Sequence, residues 1–456
     1  MIALISITAF LAFGLLYKAH LPRFSKCILA VFDIWWVCLL LFSSILPYAN
    51  YPVNDNVLLL LIVYFVGFNF GFLIYSGKTS HRITNYRNEG RTSIICEQYN
   101  CYISGNKYLI FICLIVVIVL LFYDYRYSQI MSPETVLNAR TERYYVGGLF
   151  RSTLELLIYN NVISIFRYLF AFVIAYSLVY SKYRDPIFWL SIIGIASFSY
   201  IGSGRFPIVL VVVLYLLMVL YDLVYCRESR RVRASNLLRV TVLLCFAIAA
   251  MSYVTAFRRG SLSLSLHSII NNLDTLFDQM LSYNIGPFSA LSYLYENGDI
   301  YNHFYMGATV FFDGIVELVS TVLSFVGITF STPTTVLATL ASKPIPLGEN
   351  SFNALYSAVY WMYSDSGLIG VIVYSIIFGI IVRLFILNFE ISTNIFRMML
   401  AFHSMYFVFV SNMVWQMFGL DSLVYLLVLL YLSGRVEKIG CINNAKANNE
   451  KIYVFN

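Results

Sequence analysis

Three sets of residues in this chain have the types and spacing for chemistry on a phosphorylated, sugar-bearing substrate. The first is arginine. Arg205 follows Gly202-Ser203-Gly204, the pair Arg258-Arg259 precedes Gly260, and Arg140, Arg143 and Arg151 form a looser group. Arginine keeps its charge and presents a planar fork that matches phosphate oxygens. The second set is acidic: Asp274, Asp278, Glu296, Asp299, Asp313, Glu317, Glu349 and Asp365, with His303 lying between Tyr301 and Tyr305. Attack by a sugar hydroxyl on an anomeric carbon needs a base, and departure of a pyrophosphate needs neutralising charge. Glu349, Asp365, His303 and Asp313 are the candidate catalytic groups. One carboxylate or imidazole serves a direct inverting displacement, whereas a retaining route needs two close carboxylates. The stretch holding these acids has no Asp-x-Asp, so no metal is expected, and nothing points to a cofactor. The third set is aromatic: Tyr301, Tyr305 and Tyr363 could stack on sugar rings or an isoprenoid chain. Plainer readings stand beside each. The arginines could snorkel to headgroups or pair with a glutamate, Asp365 could cap a helix starting at Gly367, and the tyrosines could belong to an interfacial belt.

These residues must be positioned by a membrane scaffold. The chain has 456 residues, of which 60% are hydrophobic and 12% charged, with a mean hydropathy of +0.77. A soluble domain carries about a quarter charged residues. Apolar runs long enough to cross a bilayer recur at Ile2–Tyr17, Cys27–Leu46, Val57–Tyr75, Tyr108–Tyr123, Val162–Tyr180, Ile187–Ile201, Ile208–Tyr225, Leu237–Ala256, Gly367–Leu387, Met398–Val414 and Leu420–Ser433. The expected fold is therefore an all-α polytopic membrane protein of about eleven transmembrane helices, with a range of about nine to thirteen. Residues 1–256 form an eight-span domain with a secondary external loop at 124–161, and 257–366 form one large external loop. Residues 367–434 form a three-span domain, and 435–456 a loose polar tail. Lysine and arginine cluster at Lys18–Lys26, Lys78–Lys107, Lys182–Arg184 and Arg227–Arg239. By the positive-inside rule these segments are cytoplasmic, so the N-terminus is external and the C-terminus cytoplasmic.

The large loop holds the candidate acids and no cysteine, so no disulfide framework braces it. Within it, Met306–Thr329 is apolar but interrupted by Asp313 and Glu317, which lie four residues apart on one helix face. A crossing there would put Arg383, Arg397 and the lysine-bearing tail on the wrong side, so a re-entrant or interfacial helical pair is expected. The net charge of +7 reports topology, and no basic, aromatic-interleaved domain suggests nucleic-acid binding.

Gly202-Ser203-Gly204-Arg205 at the end of one span resembles the first arginine turn of bacterial oligosaccharide repeat-unit polymerases, and Arg258-Arg259-Gly260 resembles their second. Gly348-Glu349-Asn350-Ser351 and Tyr363-Ser364-Asp365-Ser366-Gly367-Leu368-Ile369-Gly370 resemble their closing pattern, with Ser366 standing where phenylalanine is commoner. The match covers roughly the second half of the chain. This resemblance to O-antigen or capsule polymerases of the Wzy type implies a glycosyltransferase in the bacterial inner membrane, with the membrane-embedded (GT-C-like) architecture of lipid-phosphosugar transferases. It would move a glycan from undecaprenyl pyrophosphate to the non-reducing end of an undecaprenyl-pyrophosphate-linked repeat unit at the periplasmic face. Arg205, Arg258 and Arg259 would then hold the pyrophosphates. The implied partners are the lipid-linked donor and acceptor, membrane lipids, and a chain-length regulator and flippase of the same pathway. Two other readings fit the hydropathy: an O-antigen ligase-type transferase, which shares the donor, and a lipid-linked oligosaccharide flippase. The flippase would bury ionisable groups within its spans, and Arg167 is the clearest such group in the sequence.

Overall fold

The computed structural model describes residues 2–46, 51–74, 91–130, 148–201, 204–225, 241, 248–249, 282–298, 309, 311–324, 326–328, 330, 332, 345–347, 350–352, 357–417 and 419–453. In chain order the helices are α1 (Ile2–Lys18), α2 (Arg23–Ile45), α3 (Asp55–Leu73), α4 (Arg91–Tyr99, running into a π-helical turn at Asn100–Ser104), α5 (Lys107–Ile130), α6 (Thr153–Ile158), α7 (Phe166–Val179), α8 (Pro186–Ile201) and α9 (Phe206–Tyr225). Helix α10 covers 282–296. Then come α11 (Asp313–Ser324), α12 (Ala358–Ile391), α13 (Ile395–Val410) and α14 (Leu420–Tyr453). A π-helical turn at Tyr159–Ile163 joins α6 to α7. The strands β1 (Ile345–Leu347) and β2 (Asn350–Phe352) pair antiparallel, Leu347 opposite Asn350. Among the described residues, six helical stretches are long and apolar enough to cross a membrane: α2, α3, α5, Leu154–Val179, α9 and α12. Three shorter apolar helices, Ile2–Tyr17, α8 and α13, accompany them. The protein is thus predominantly α-helical, with several helices able to span a membrane.

Local sequence sets the helix ends. Asn54 caps α3 by accepting from the Asn56 N–H, and Asp55 adds a carboxylate to that first turn. A carboxylate there complements the positive end of the helix dipole. Ser152 accepts from the Glu155 N–H, three residues on, to start α6. Pro186 opens α8 and Pro207 sits in the first turn of α9, where the missing N–H has no helical partner to lose.

The central seam is α3 against α12. A Cβ added to Gly67 would meet the Ser375 side chain, one added to Gly71 the Ile376 carbonyl, and one added to Gly379 the Phe68 carbonyl. Three glycines therefore let the two backbones touch, the usual device of helix pairs in lipid. Beside the seam, Phe32, Trp36, Tyr64, Phe65 and Phe68 form a buried aromatic stack.

One end of the bundle collects the loops. The N–H of Asn54 donates to Ser292 Oγ at 2.9 Å, and Asn412 Nδ2 donates to Asn284 Oδ1 at 3.0 Å. The Ala358 N–H donates to the Ser411 carbonyl at 2.7 Å, and Trp415 Nε1 donates to the Phe311 carbonyl at 3.3 Å. Helix α10 is thereby sunk into the bundle end, with Ile285, Phe288, Ala290 and Leu291 buried. The opposite end carries the α1–α2 turn, α4 and the α12–α13 turn, where the Ile395 N–H donates to Gln98 Oε1.

Four boundaries differ from the sequence expectation. Helix α5 continues to Ile130, through Asp124 and Arg126. Helix α12 starts at Ala358 rather than Gly367. The chain stays helical to Tyr453, where a loose tail is expected. Helix α2 begins at Arg23 rather than Cys27, which puts Asp33 midway along it. The expected span Leu237–Ala256 falls almost wholly outside the described residues.

Candidate functional site

The loop end brings together ionisable residues from three elements. Helices α7, α8 and α9 run up, down and up through two short connections, so α7 and α9 start at the same end. Arg167 stands in the first turn of α7 and Arg205 immediately before α9. The Arg167 guanidinium donates to Asp421 Oδ2 at 2.6 Å across to the start of α14. Tyr168 hydroxyl lies 3.3 Å from the same oxygen and 2.7 Å from Ser422 Oγ. The Ser422 N–H donates to Asp421 Oδ1 at 2.8 Å. Beneath them, His403 on α13 lies 3.1 Å from the Tyr168 carbonyl.

Helix α11 lies against this group. Asp313, which is buried, opens the helix, and Glu317 follows one turn later. Burial, reinforced by the carboxylates of Asp313 and Asp421, pushes the Glu317 carboxyl up to about 7. The opposite face of α11 exposes Ile315, Leu318, Val319 and Val322, the spacing of an interfacial helix. Twelve residues rise only about 18 Å, short of the roughly 30 Å hydrocarbon core. Helix α11 alone is therefore shorter than that core. Although three carboxylates meet here, no three His, Cys, Asp or Glu among the described residues are grouped closely enough to hold a metal.

Arg205 is buried, and its guanidinium lies 5.8 Å from the centre of the Tyr283 ring in the first turn of α10. The turn before α9 and the first turn of α10 thus meet through a cation–π contact. Asp365 is also buried, and it sits directly before a break in α12: Ser366 has φ −150° and ψ 26°, and Gly367 has φ 60° and ψ −148°. That second conformation is open essentially to glycine alone. Tyr363 packs edge-on against Tyr295 of α10, with ring centres 6.4 Å apart. Arg258, Arg259, His303, Glu349, Tyr301 and Tyr305 lie outside the described residues, as do Arg140 and Arg143.

Two candidate acids have separate fates. Glu296 is a brace: its oxygens accept from the Tyr51 hydroxyl at 2.5 Å and from Asn54 Nδ2 at 2.9 Å. Burial and that carboxylate push the Tyr51 hydroxyl up to about 12. Asp313 does join a cluster, with Glu317, which belongs to the acidic set but not to the catalytic candidates, and with Asp421, which the sequence did not single out. The i, i+4 spacing of Asp313 and Glu317 was the visible signal. Asp421 gave none, since its partner Arg167 is 254 positions away. A notch of about 450 Å³, lined by Ile2, Ser43, Val53 and Asp55, opens at the same end, and none of the cluster residues lines it.

No protein-family model, curated protein or solved structure compared with the chain matches it.

Proposed function

We propose that this chain is a membrane-embedded glycosyltransferase of the bacterial inner membrane. It transfers a glycan from undecaprenyl pyrophosphate onto the non-reducing end of a second undecaprenyl-pyrophosphate-linked repeat unit, as O-antigen and capsule polymerases do. One observation carries the reading: a carboxyl poised near neutrality, Glu317, on an interfacial helix at the bundle end that also presents Arg167 and Arg205. Lipid-linked phosphates lie at headgroup level, the depth at which such a helix rests. In the transfer, the acceptor hydroxyl gives its proton to Glu317 and its oxygen attacks the anomeric carbon. The bond from that carbon to the pyrophosphate oxygen breaks with inversion. Arg205, joined by Arg258 and Arg259 at the start of the loop, neutralises the leaving pyrophosphate. The clustering of lysine and arginine at the opposite end supports a periplasmic loop end and a cytoplasmic C-terminus.

A second reading, a lipid-linked oligosaccharide flippase, draws on the ionisable groups buried within candidate spans: Asp33 in α2, and Arg383 and Glu390 in α12. Such groups often line transport paths. Purified protein given labelled lipid-linked donor and acceptor, with no ion gradient, separates the two. Lengthened glycan supports transfer, and its absence alongside movement of donor across vesicles sinks it. In cells, a deletion strain complemented with wild type should make a polysaccharide ladder, and one complemented with Arg205→Ala only single-repeat material. A deletion strain lacking even single-repeat caps would mean ligation or flipping instead.

A further inference from the structure

The centre of α2 carries a buried carboxyl that the transfer reading leaves unused. Asp33 is fully buried and Asn69 on α3 is 5% exposed. Asn69 Nδ2 donates to Asp33 Oδ1 at 2.9 Å and to the Phe65 carbonyl at 3.1 Å. The second contact fixes which way the amide points, because its oxygen could not donate to that carbonyl. The remaining two oxygens, Asp33 Oδ2 and Asn69 Oδ1, are both buried and have no hydrogen-bond partner. Both are acceptors, so neither can satisfy the other. Buried polar atoms are rarely left this way; the nearby rings of Phe32, Phe65 and Phe68 carry no polar hydrogen, and the indole N–H of Trp36, three residues along α2, makes no hydrogen bond.

A single proton resolves the conflict. Placed on Asp33 Oδ2 it would donate to Asn69 Oδ1 and close an acid–amide ring of two hydrogen bonds. We propose that Asp33 and Asn69 form an intramembrane proton-binding site, with the Asp33 carboxyl held neutral and acting as a joint between α2 and α3. The ring needs no further atom. A metal cation would need additional oxygen ligands, which those aromatic rings do not provide. The elements around α2 carry other ionisable groups, several of them grouped at its Arg23–Ser25 end. On α12, Arg383 bonds Glu390 and Ser25. On α3, Tyr64 donates to Ser411. Helix α9 brings Tyr221, Asp222 and Tyr225, and α1 carries Tyr17 and Lys18 at its turn into α2. Asp33 itself bonds only Asn69 among the described residues. Loss of the proton would strand a carboxylate among aromatic rings at mid-helix, so the joint weakens as pH rises.

Asp33→Asn is the decisive substitution, because an asparagine there reproduces the neutral ring with its own N–H. In purified full-length protein the wild-type melting midpoint should fall between pH 6 and pH 9. Asp33→Asn should melt no lower than wild type at pH 6 and above it at pH 9. Infrared difference spectra at neutral pH should show that Asp33→Asn removes a protonated-carboxyl C=O band that is still present in Glu317→Gln, whose own carboxyl accounts for a separate loss. Asp33→Asn melting below wild type across the whole pH range would overturn the proposal. So would a wild-type midpoint raised by sodium or potassium and unresponsive in Asp33→Asn, which would make the pair a cation site. None of these readouts uses glycan transfer, so the proposal stands or falls separately from the transferase reading.

Discussion

Glu317→Gln should cost activity and return stability, and the second effect can be worked from the structure. The carboxyl titrates at about 7 in the folded protein, against an ordinary value of 4.5. Between those values the folded state holds a proton that the unfolded chain has released. Wild-type stability therefore falls as pH rises through this window and levels off above it. Each pH unit contributes about 1.4 kcal/mol, giving an upper figure of about 3.4 kcal/mol. Glu317 is only partly buried, so solvent screening brings a realistic value nearer 1.5 kcal/mol. Glutamine has the same shape and no such slope. Thermal unfolding followed by tryptophan fluorescence from pH 4.5 to pH 8 should show the variant gaining on wild type across this interval, by a total of about 1.5 kcal/mol. Transfer by the same protein should drop about 10²–10⁴-fold, the usual contribution of a general base. A difference between variant and wild type that stays flat with pH would refute the reasoning, because it would mean that Glu317 is ionised throughout.

Three further outcomes follow from backbone and packing. Gly367→Ala forces a side chain into a conformation that glycine alone adopts readily, and should lower stability by about 1–3 kcal/mol; an unchanged melting midpoint would mean the break in α12 carries no strain. Gly71→Leu drives a side chain into the Ile376 carbonyl and should cost about 1–3 kcal/mol or more, read as lost monodisperse yield, whereas Ala3→Leu at an exposed position of α1 should not. Glu296→Gln swaps one acceptor of the Tyr51–Asn54 brace for a donor and should cost about 1–2 kcal/mol, seen as faster amide exchange confined to α10.

The helical scaffold was legible because apolar runs of span length leave few alternatives, and α1, α8 and α9 begin or end within a few residues of where hydropathy puts them. Legibility fails where a helix carries polar residues past its apolar run. Asp124 and Arg126 read as loop, yet Ser197 donates to Asp124 at 2.5 Å and Arg126 pairs with Glu155 at 2.6 Å, which lets α5 keep going. Ala358–Asp365 read as loop for the same reason, and the Ala358 bond to Ser411 holds that stretch in helix. The acidic cluster was half legible: one turn of α11 displayed Asp313 and Glu317, but no local pattern could announce that Asp421 and Arg167 would meet them. Chemistry assembled from distant segments leaves only one or two residues in each, and a lone Asp after an apolar run looks like a helix cap.

The charge balance of this cluster bears on which reaction it suits. Arg167 and Asp421 are joined at 2.6 Å with about a quarter of each side chain exposed, so their charges largely cancel toward a ligand. Asp313 and Glu317 add two further carboxyls beside that pair. Were both ionised, the site would repel a pyrophosphate approaching the arginines nearby. A Glu317 carboxyl pushed up to about 7 exchanges its proton near physiological pH, which lowers that repulsion while keeping a proton acceptor on hand. A stronger acid would be always ready and always repulsive, and a weaker one would seldom be free to take a proton. The intermediate value suits a step in which a hydroxyl loses its proton as an anionic group departs. It follows that Asp421→Asn, which removes one neighbouring carboxylate and keeps the side-chain shape, should lower the titration point of Glu317. The rising limb of the transfer rate against pH should move to lower pH with it. If that limb stays where it is in wild type, the proton acceptor in transfer is another group.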